Sequence, residues 1–155
     1  MITNQRRKYS LGLAGEFFVA AELQRRGITA SITYGNAKKA DVVALSVSGS
    51  VAVVLEVKTT SELTWVVGGT IPDKSQQLWV FVHLPKDDQK PPRYFILTDE
   101  NLHDILMPVH QTYLDGYRKK HDCEFTGACV FKLPIEKAMP FEGKWKRIIE
   151  RVSSN

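Results

Sequence analysis

The sequence predicts a single α/β domain built on a mixed sheet, and three observations predict it. The order of apolar patterns along the chain is helix, three strands, helix, strand, strand, helix. The strand segments DVVALSV and VAVVLEVKT are rich in Val with little strict alternation, which implies a sheet covered on both faces by helices. The length of 155 residues, with 43% hydrophobic and 25% charged side chains, suits one ordinary folded domain and excludes wholesale disorder, a collagen-like repeat and a coiled coil.

Taken in order, residues 7–26 read as the first helix, because Ala14, Phe17, Phe18 and Ala21 recur at i, i+3, i+4 and i+7, and Gly27 ends it. On the wheel of that helix Glu16 falls between Ala20 and Leu23, an acid within an apolar sector. Three extended stretches follow at 30–34, 40–47 and 51–59, the last two joined into a hairpin by Ser48-Gly49-Ser50. Residues 60–77 carry Gly68, Gly69 and Pro72 and read as a loop leading into a short helix at 73–77. Strands are expected at 78–84, LWVFVHL, and at 93–97, separated by the polar turn PKDDQKPP. Thr98-Asp99-Glu100 resembles a helix cap and acidic first turn, and the helix it starts is expected to run, bent at Pro108, towards Tyr117. Residues 123–133 suit an edge strand. Residues 142–152 suit a final helix with Trp145, Ile148, Ile149 and Val152 as its apolar stripe.

Charge is distributed unevenly. Residues 1–60 hold eight basic and four acidic side chains, residues 61–115 hold four and eight, and residues 116–155 hold nine and five. Two net-positive ends around a negative middle suit a polyanionic partner. No run of 18 apolar residues and no secretory leader occurs in the sequence, so no membrane partner and a cytoplasmic location are expected. Cys123 and Cys129 are the only cysteines, too few for a disulfide framework. Together with His121 they give only three ligands without paired C-x-x-C spacing, which argues against a structural zinc site.

The residues that carry chemistry are Asp41, Glu56 and Lys58. Positions i and i+2 of a strand share a face, so Glu56 and Lys58 project together. A turn centred near Gly49 folds residues 41 and 57 roughly opposite each other. Two carboxylates and an amine then meet at one end of the hairpin. Neighbouring carboxylates repel unless a cation lies between them, and hard oxygen donors select Mg²⁺ or Mn²⁺. An ammonium beside such an ion can orient or deprotonate water, or stabilise charge on a phosphate in the transition state. That is the equipment of phosphodiester hydrolysis.

The pattern resembles the PD-(D/E)XK nuclease superfamily. The matching pieces are GEFFVAAEL with Glu16, KKADVVAL with Asp41 and LEVKTT with Glu56 and Lys58, over roughly residues 11–84. Ala40 stands where the proline of the family's name would be. The resemblance implies a restriction-endonuclease-like αβββαβ core with a mixed central sheet flanked by helices, the core at about 8–97 and a C-terminal extension at about 98–155 of one nuclease-like domain. It implies a Mg²⁺-dependent nuclease acting on DNA, in which Asp41, Glu56 and the Val57 carbonyl bind the ion directly, Glu16 reaches it through water and Lys58 is catalytic. A polar residue of the second core helix, Gln76 or Gln77, completes such sites, and Gln77 is the candidate taken here.

The opening G-E-x-x-V-A-x-x-L with Arg25-Arg26-Gly27 is similar to small Holliday-junction-resolvase-like prokaryotic members, which brings branched DNA and a homodimer into view, since two strands are cut at symmetry-related points. Lys38 and Lys39 are either a solvated turn or phosphate contacts beside Asp41, and Thr59, Thr60 and Ser61 either donate to phosphate or cap the loop. Trp65 either packs or stacks on a nucleobase. Two alternatives differ in kind: a nuclease fold that binds nucleic acid or a protein without cutting, and an RNA-directed or toxin-like nuclease.

Overall fold

The computed structural model describes residues 4–33 and 40–154. Helix α1 (Asn4–Arg25) leads into β1 (Thr29–Ile32), β2 (Val42–Leu45), β3 (Ala52–Thr60), β4 (Thr64–Gly68), β5 (Leu78–His83) and β6 (Arg93–Thr98); α2 (Asp99–His121), β7 (Phe131–Pro134), α3 (Ile135–Ala138) and α4 (Lys146–Ser153) complete the chain. Five strands form one mixed sheet in the order β1-β2-β3-β5-β6, in which only the β3–β5 pair is parallel. The expected mixed sheet flanked by helices is therefore present.

The hairpin forms as its sequence predicts. Ser46 N donates to Val51 O at 2.9 Å, and Gly49 supplies the positive φ of +73° that the turn needs. Its register sets Val42 opposite Leu55, so residue 41 lies one step beyond the last pair of the ladder.

Each face of the sheet carries its own apolar layer. On one face, Val19 and Leu23 of α1 and Trp145, Ile148 and Val152 at α4 pack over Leu55, Val57, Leu78, Val80 and Val82. On the other, Leu102 and Leu106 of α2, with Trp65 and Leu133 of a two-stranded β4–β7 sheet, pack over Trp79, Phe81, Phe95 and Leu97. Residues β5 buries on both faces read as the continuous apolar run LWVFVH, as a strand without a wet side must.

Three expectations differ from what forms. The buried line of α1 is Gly15, Val19 and Leu23 at i, i+4 and i+8, while Phe17 and Phe18 remain 52% and 43% exposed. A helix buries the residues that match the local shape of the sheet, and Gly15 permits a close approach that the phenylalanines on the next faces do not. Residues 64–68 are a strand, not loop, because β7 supplies an antiparallel partner 63–70 residues downstream that no local pattern reveals. The expected helix at 73–77 is absent. The β3-to-β5 crossover consists of β4 and an irregular segment whose polar side chains bond across to α2 and α4 instead, Ser75 to Asp99 and Gln76 to Glu100 and Arg151.

Helix α2 starts with the expected cap: Thr98 Oγ1 accepts from Asn101 N at 3.2 Å, and Asn101 Oδ1 accepts from Thr98 N at 3.1 Å. It continues through Pro108 past Tyr117 to His121 and ends at Asp122, whose φ of 52° is left-handed. The edge strand expected over 123–133 is shorter, Phe131–Pro134. No helix among the described residues is long and apolar enough to cross a membrane.

Candidate active site

The site begins where β2 leaves β3. Asp41 N still donates to Leu55 O at 3.0 Å, continuing the ladder, but the next donor on that edge, Val57 N, is met by the Asp41 side chain through Oδ2 at 2.7 Å. A carboxylate thus replaces a strand carbonyl at the end of the β2 ladder. N–H and C=O of one residue leave a strand on the same side, so the Val57 carbonyl also faces the edge that Asp41 occupies.

Glu56 and Lys58 flank Val57. The parallel register sets Glu56 beside Trp79 and Lys58 beside Phe81, which places both on the α2 side of the sheet. Lys58 Nζ is 3.1 Å from Glu56 Oε1 and stands 5.6 Å from the centre of the Trp79 ring. Glu56 is only 9% exposed, and its second oxygen, Oε2, is buried without any hydrogen-bond partner. A buried carboxylate oxygen that lacks a donor is costly, so this atom marks a place where a cation or donor belongs.

Trp79 is itself held from behind. Its Nε1 donates to Asp99 Oδ1 at 2.6 Å, and Ser75 Oγ donates to Asp99 Oδ2 at 2.5 Å. Phe81 stacks on it at 5.8 Å. The surface beneath the Lys58 ammonium is therefore fixed by a buried charged hydrogen bond at the first turn of α2.

Glu16 approaches from the other face. Gly15, the residue before it, lies directly against Thr59 of β3 on the α1 side of the sheet. Burial holds the Glu16 carboxyl above its ordinary pKa, and the neighbouring Asp41 carboxylate pushes it further in the same direction. Asp41, at the open edge, is thus the group that both the Glu16 side and the Glu56 side of the sheet share.

The expected convergence of three acids is only partly realised. Among the described residues no three His, Cys, Asp or Glu side chains are grouped to hold an ion by themselves. The reason is geometric: Glu16 and Glu56 belong to opposite faces of β3. Gln77 is not drawn in either. Its Nε2 donates to Val54 O at 3.1 Å and Leu78 O at 3.2 Å, bridging the ends of β3 and β5 one strand repeat before Glu56. Gln76 is exposed and bonded to Glu100 and Arg151.

The remaining expected residues divide clearly. Lys38 and Lys39 lie outside the described residues. Thr59 Oγ1 is buried against α1 without a partner, whereas Thr60 Oγ1 accepts from Glu62 N at 3.1 Å and caps the corner after β3. Trp65 packs: it is 1% exposed, its Nε1 donates to Val82 O at 2.9 Å, and Phe81 and Phe95 meet it edge-on. The support of Trp79 by Asp99 is a feature sequence reading missed, because the two are joined only through the fold. An apolar cavity of about 480 Å³ between α2 and β7 shares none of these residues and has no carboxylate in its lining.

No protein-family model matches the chain, and no curated protein matches it. Among solved structures, the chain is similar to Hjc, a Holliday junction resolvase from the archaeal hyperthermophile Archaeoglobus fulgidus. The identity is 16%, the TM-score is 0.46, and the match covers 83% of this chain and 88% of that one. A likeness of this size fixes no residue correspondence, and the chemistry of the site rests on the side chains described above.

Proposed function

We propose that the protein is a divalent-metal-dependent nuclease that hydrolyses phosphodiester bonds in DNA. The observation that carries this reading is the group at the edge of β3: Asp41 on Val57 N, Glu56 ion-paired to Lys58, and Glu56 Oε2 buried without a partner. A site of this composition is hard to explain as structure alone, since a buried unpartnered carboxylate oxygen costs stability unless something binds it.

The residues fit Mg²⁺ or Mn²⁺. Mg²⁺ keeps several of its waters and is ordinarily held by one or two carboxylates, so two acids and a carbonyl suffice and a closed cage is not required. Asp41, Glu56 and the Val57 carbonyl would hold the ion, with Glu16 reaching it through water. Bound there, the ion would polarise a phosphoryl oxygen and lower the pKa of a water. Lys58 is held beside Glu56 by the ion pair and over Trp79 by the ring face, positioned to orient the attacking water or to stabilise charge building on the phosphate. Glu16, with its raised pKa, is suited to share a proton with water at the edge near Asp41. Gln77 supports the start of the catalytic strand through its two main-chain hydrogen bonds. The chain works as one domain in this reading, with DNA as the partner and branched DNA and a homodimer as its resolvase-like form.

The test is cleavage of single-stranded, duplex, flapped and four-way DNA, with RNA controls, in Mg²⁺ and in Mn²⁺. Asp41→Asn keeps an acceptor for Val57 N–H and removes the charge, and Lys58→Met keeps the contact with Trp79 and removes the amine. Both variants are expected to fold, and both to lose cleavage. Undiminished cutting by either overturns the assignment. Wild-type protein that binds DNA without cutting any substrate, and takes up no Mn²⁺ in calorimetry, points to the binding-module alternative.

A further inference from the structure

Beyond Val57, β3 runs on for three residues with no described strand on its β2 side, since the β2 pairing ends at Val42 opposite Leu55. Leu84 N donates to Thr60 O, so even-numbered residues of β3 bond towards β5 and odd-numbered ones face the bare edge. A cleft of about 660 Å³ opens at the end of β3, between the first two turns of α1 and the corner joining β3 to β4. Its walls hold four basic side chains, Arg7, Lys8, Lys58 and Lys86, and a single acidic one, Glu62. Lys86 is paired with Glu62 at 2.6 Å. Arg7 and Lys8 are exposed and have no ion-pair partner among the described residues.

Two α1 cations without an ion-pair partner among the described residues line the same cleft as Lys58, an arrangement for an anion larger than one phosphate. Hydroxyls of Thr60 and Ser61 line the same wall. The cleft offers bases little to stack on, because its one aromatic residue, Trp65, is buried in the floor with its Nε1 bonded to Val82 O.

We propose that this cleft seats the phosphate backbone of a DNA strand leaving the reaction centre, gripped by Arg7 and Lys8 and read without regard to base sequence. The proposal rests on the nuclease reading for its ligand and extends it to residues that reading does not use. Contacts to phosphate position a strand and carry no sequence information, so grip and base-blindness go together. Glu62 opposes the strand and is kept from doing so fully by Lys86.

The experiment measures binding of a fluorescent single-stranded oligonucleotide to the full chain in EDTA, across a salt series, with duplex and RNA arms alongside. The Arg7→Gln and Lys8→Gln variants are each expected to reduce the slope of log K against log [salt] by about 1. Lys119→Gln with Lys120→Gln, at the far end of α2, is expected to leave the slope unchanged. Glu62→Gln is expected to tighten binding, a gain that misfolding does not produce. Unchanged slopes in the Arg7 and Lys8 variants, an equal loss in the Lys119/Lys120 variant, or weaker binding by Glu62→Gln overturns the proposal. So does a preference of roughly a hundredfold or more between oligonucleotides of equal length and different sequence, which requires base contacts. RNA binding equal to DNA keeps the cleft and removes its restriction to DNA. The two readings separate cleanly: wild-type protein that binds as described but never cuts defeats the nuclease and leaves the cleft standing, while a protein that cuts DNA yet binds it equally well without Arg7 and Lys8 defeats the cleft alone.

Discussion

Replacing Gly15 by Ala tests the seating of α1 on β3. An ideal Cβ at Gly15 would lie 1.9 Å from Thr59 Oγ1, 2.9 Å from Thr59 Cβ and 3.0 Å from Thr59 Cγ2. Ordinary carbon contacts begin near 3.5 Å, so relief requires a shift of roughly 1 Å or more by the helix or the strand. A different Thr59 rotamer moves Oγ1 but leaves the Cβ contact. Overpacking of this kind costs about 1–3 kcal/mol. Against it stands the better helix propensity of Ala, worth about 1 kcal/mol. Gly12 provides the control, for it lies in the same helix and a Cβ there would meet nothing within 4 Å. Gly12→Ala should therefore stabilise by up to about 1 kcal/mol. Gly15→Ala should be less stable than Gly12→Ala by about 1–3 kcal/mol, since the propensity gain is common to both and cancels in the difference. Urea unfolding of the two variants reads that difference directly. Adding Thr59→Ala to Gly15→Ala removes the Oγ1 and Cγ2 contacts but leaves the one at Cβ, so it should return part of the loss. A Gly15→Ala protein as stable as Gly12→Ala refutes the close approach, and with it the account of how Glu16 reaches the edge of β3.

Asp41→Ala removes the acceptor of Val57 N–H from a residue that is buried, so it should cost about 1–3 kcal/mol in urea unfolding beyond what Asp41→Asn costs; equal stabilities would mean that the carboxylate does not stand in for the strand. Asp99→Ala leaves Trp79 Nε1 and Ser75 Oγ without their shared acceptor and should lower stability by about 2–4 kcal/mol, and a wild-type melting curve would contradict that network. His83 is buried, which lowers its pKa, and the nearby Arg93 charge lowers it further. The unfolded chain then binds the proton more readily. Its contribution to stability is present above the unfolded value of 6.5 and is lost as pH falls from there through the lower folded pKa. Stability measured by urea at a series of pH values should decline below that point, and His83→Phe should flatten the decline; an unaltered profile assigns it to other groups.

What the sequence made legible was what short stretches decide alone. The Val-rich pair around Ser48-Gly49-Ser50 specifies its own hairpin, and that hairpin sets Asp41 on the Val57 N–H, between Glu56 and Lys58 in the chain. The Thr98 cap likewise needs only its own first turn. Legibility ends where two distant segments decide together. β4 is a strand because β7 pairs with it, and residues 73–77 forgo a helix because Ser75 and Gln76 find partners on α2 and α4. The face of α1 escaped for a related reason. Periodicity finds an apolar stripe, but the contact with β3 selects the line through Gly15, whose lack of a side chain gives no hydrophobic signal.

The end of the β2–β3 ladder explains why Asp41 lies at an edge and not in the sheet. A carboxylate between two paired strands would lack room for water and for a phosphate, while one on a free surface would not raise the energy of its neighbours. Asp41 ends the β2 ladder and occupies the next donor of β3, so no described strand pairs with that edge beyond Val57, where β3 passes from buried at Leu55, Glu56 and Val57 to half-buried at Lys58, Thr59 and Thr60. Glu56 is kept from solvent with one oxygen unmatched, Lys58 is kept beside it, and Lys58 also lines the basic cleft. Loss of Arg7 and Lys8 should weaken the hold on DNA and leave Mn²⁺ uptake at Asp41 and Glu56 intact. Calorimetry of the Arg7→Gln, Lys8→Gln double variant decides between a site that depends on its cleft and one that merely adjoins it, and unchanged Mn²⁺ affinity is the outcome this arrangement requires.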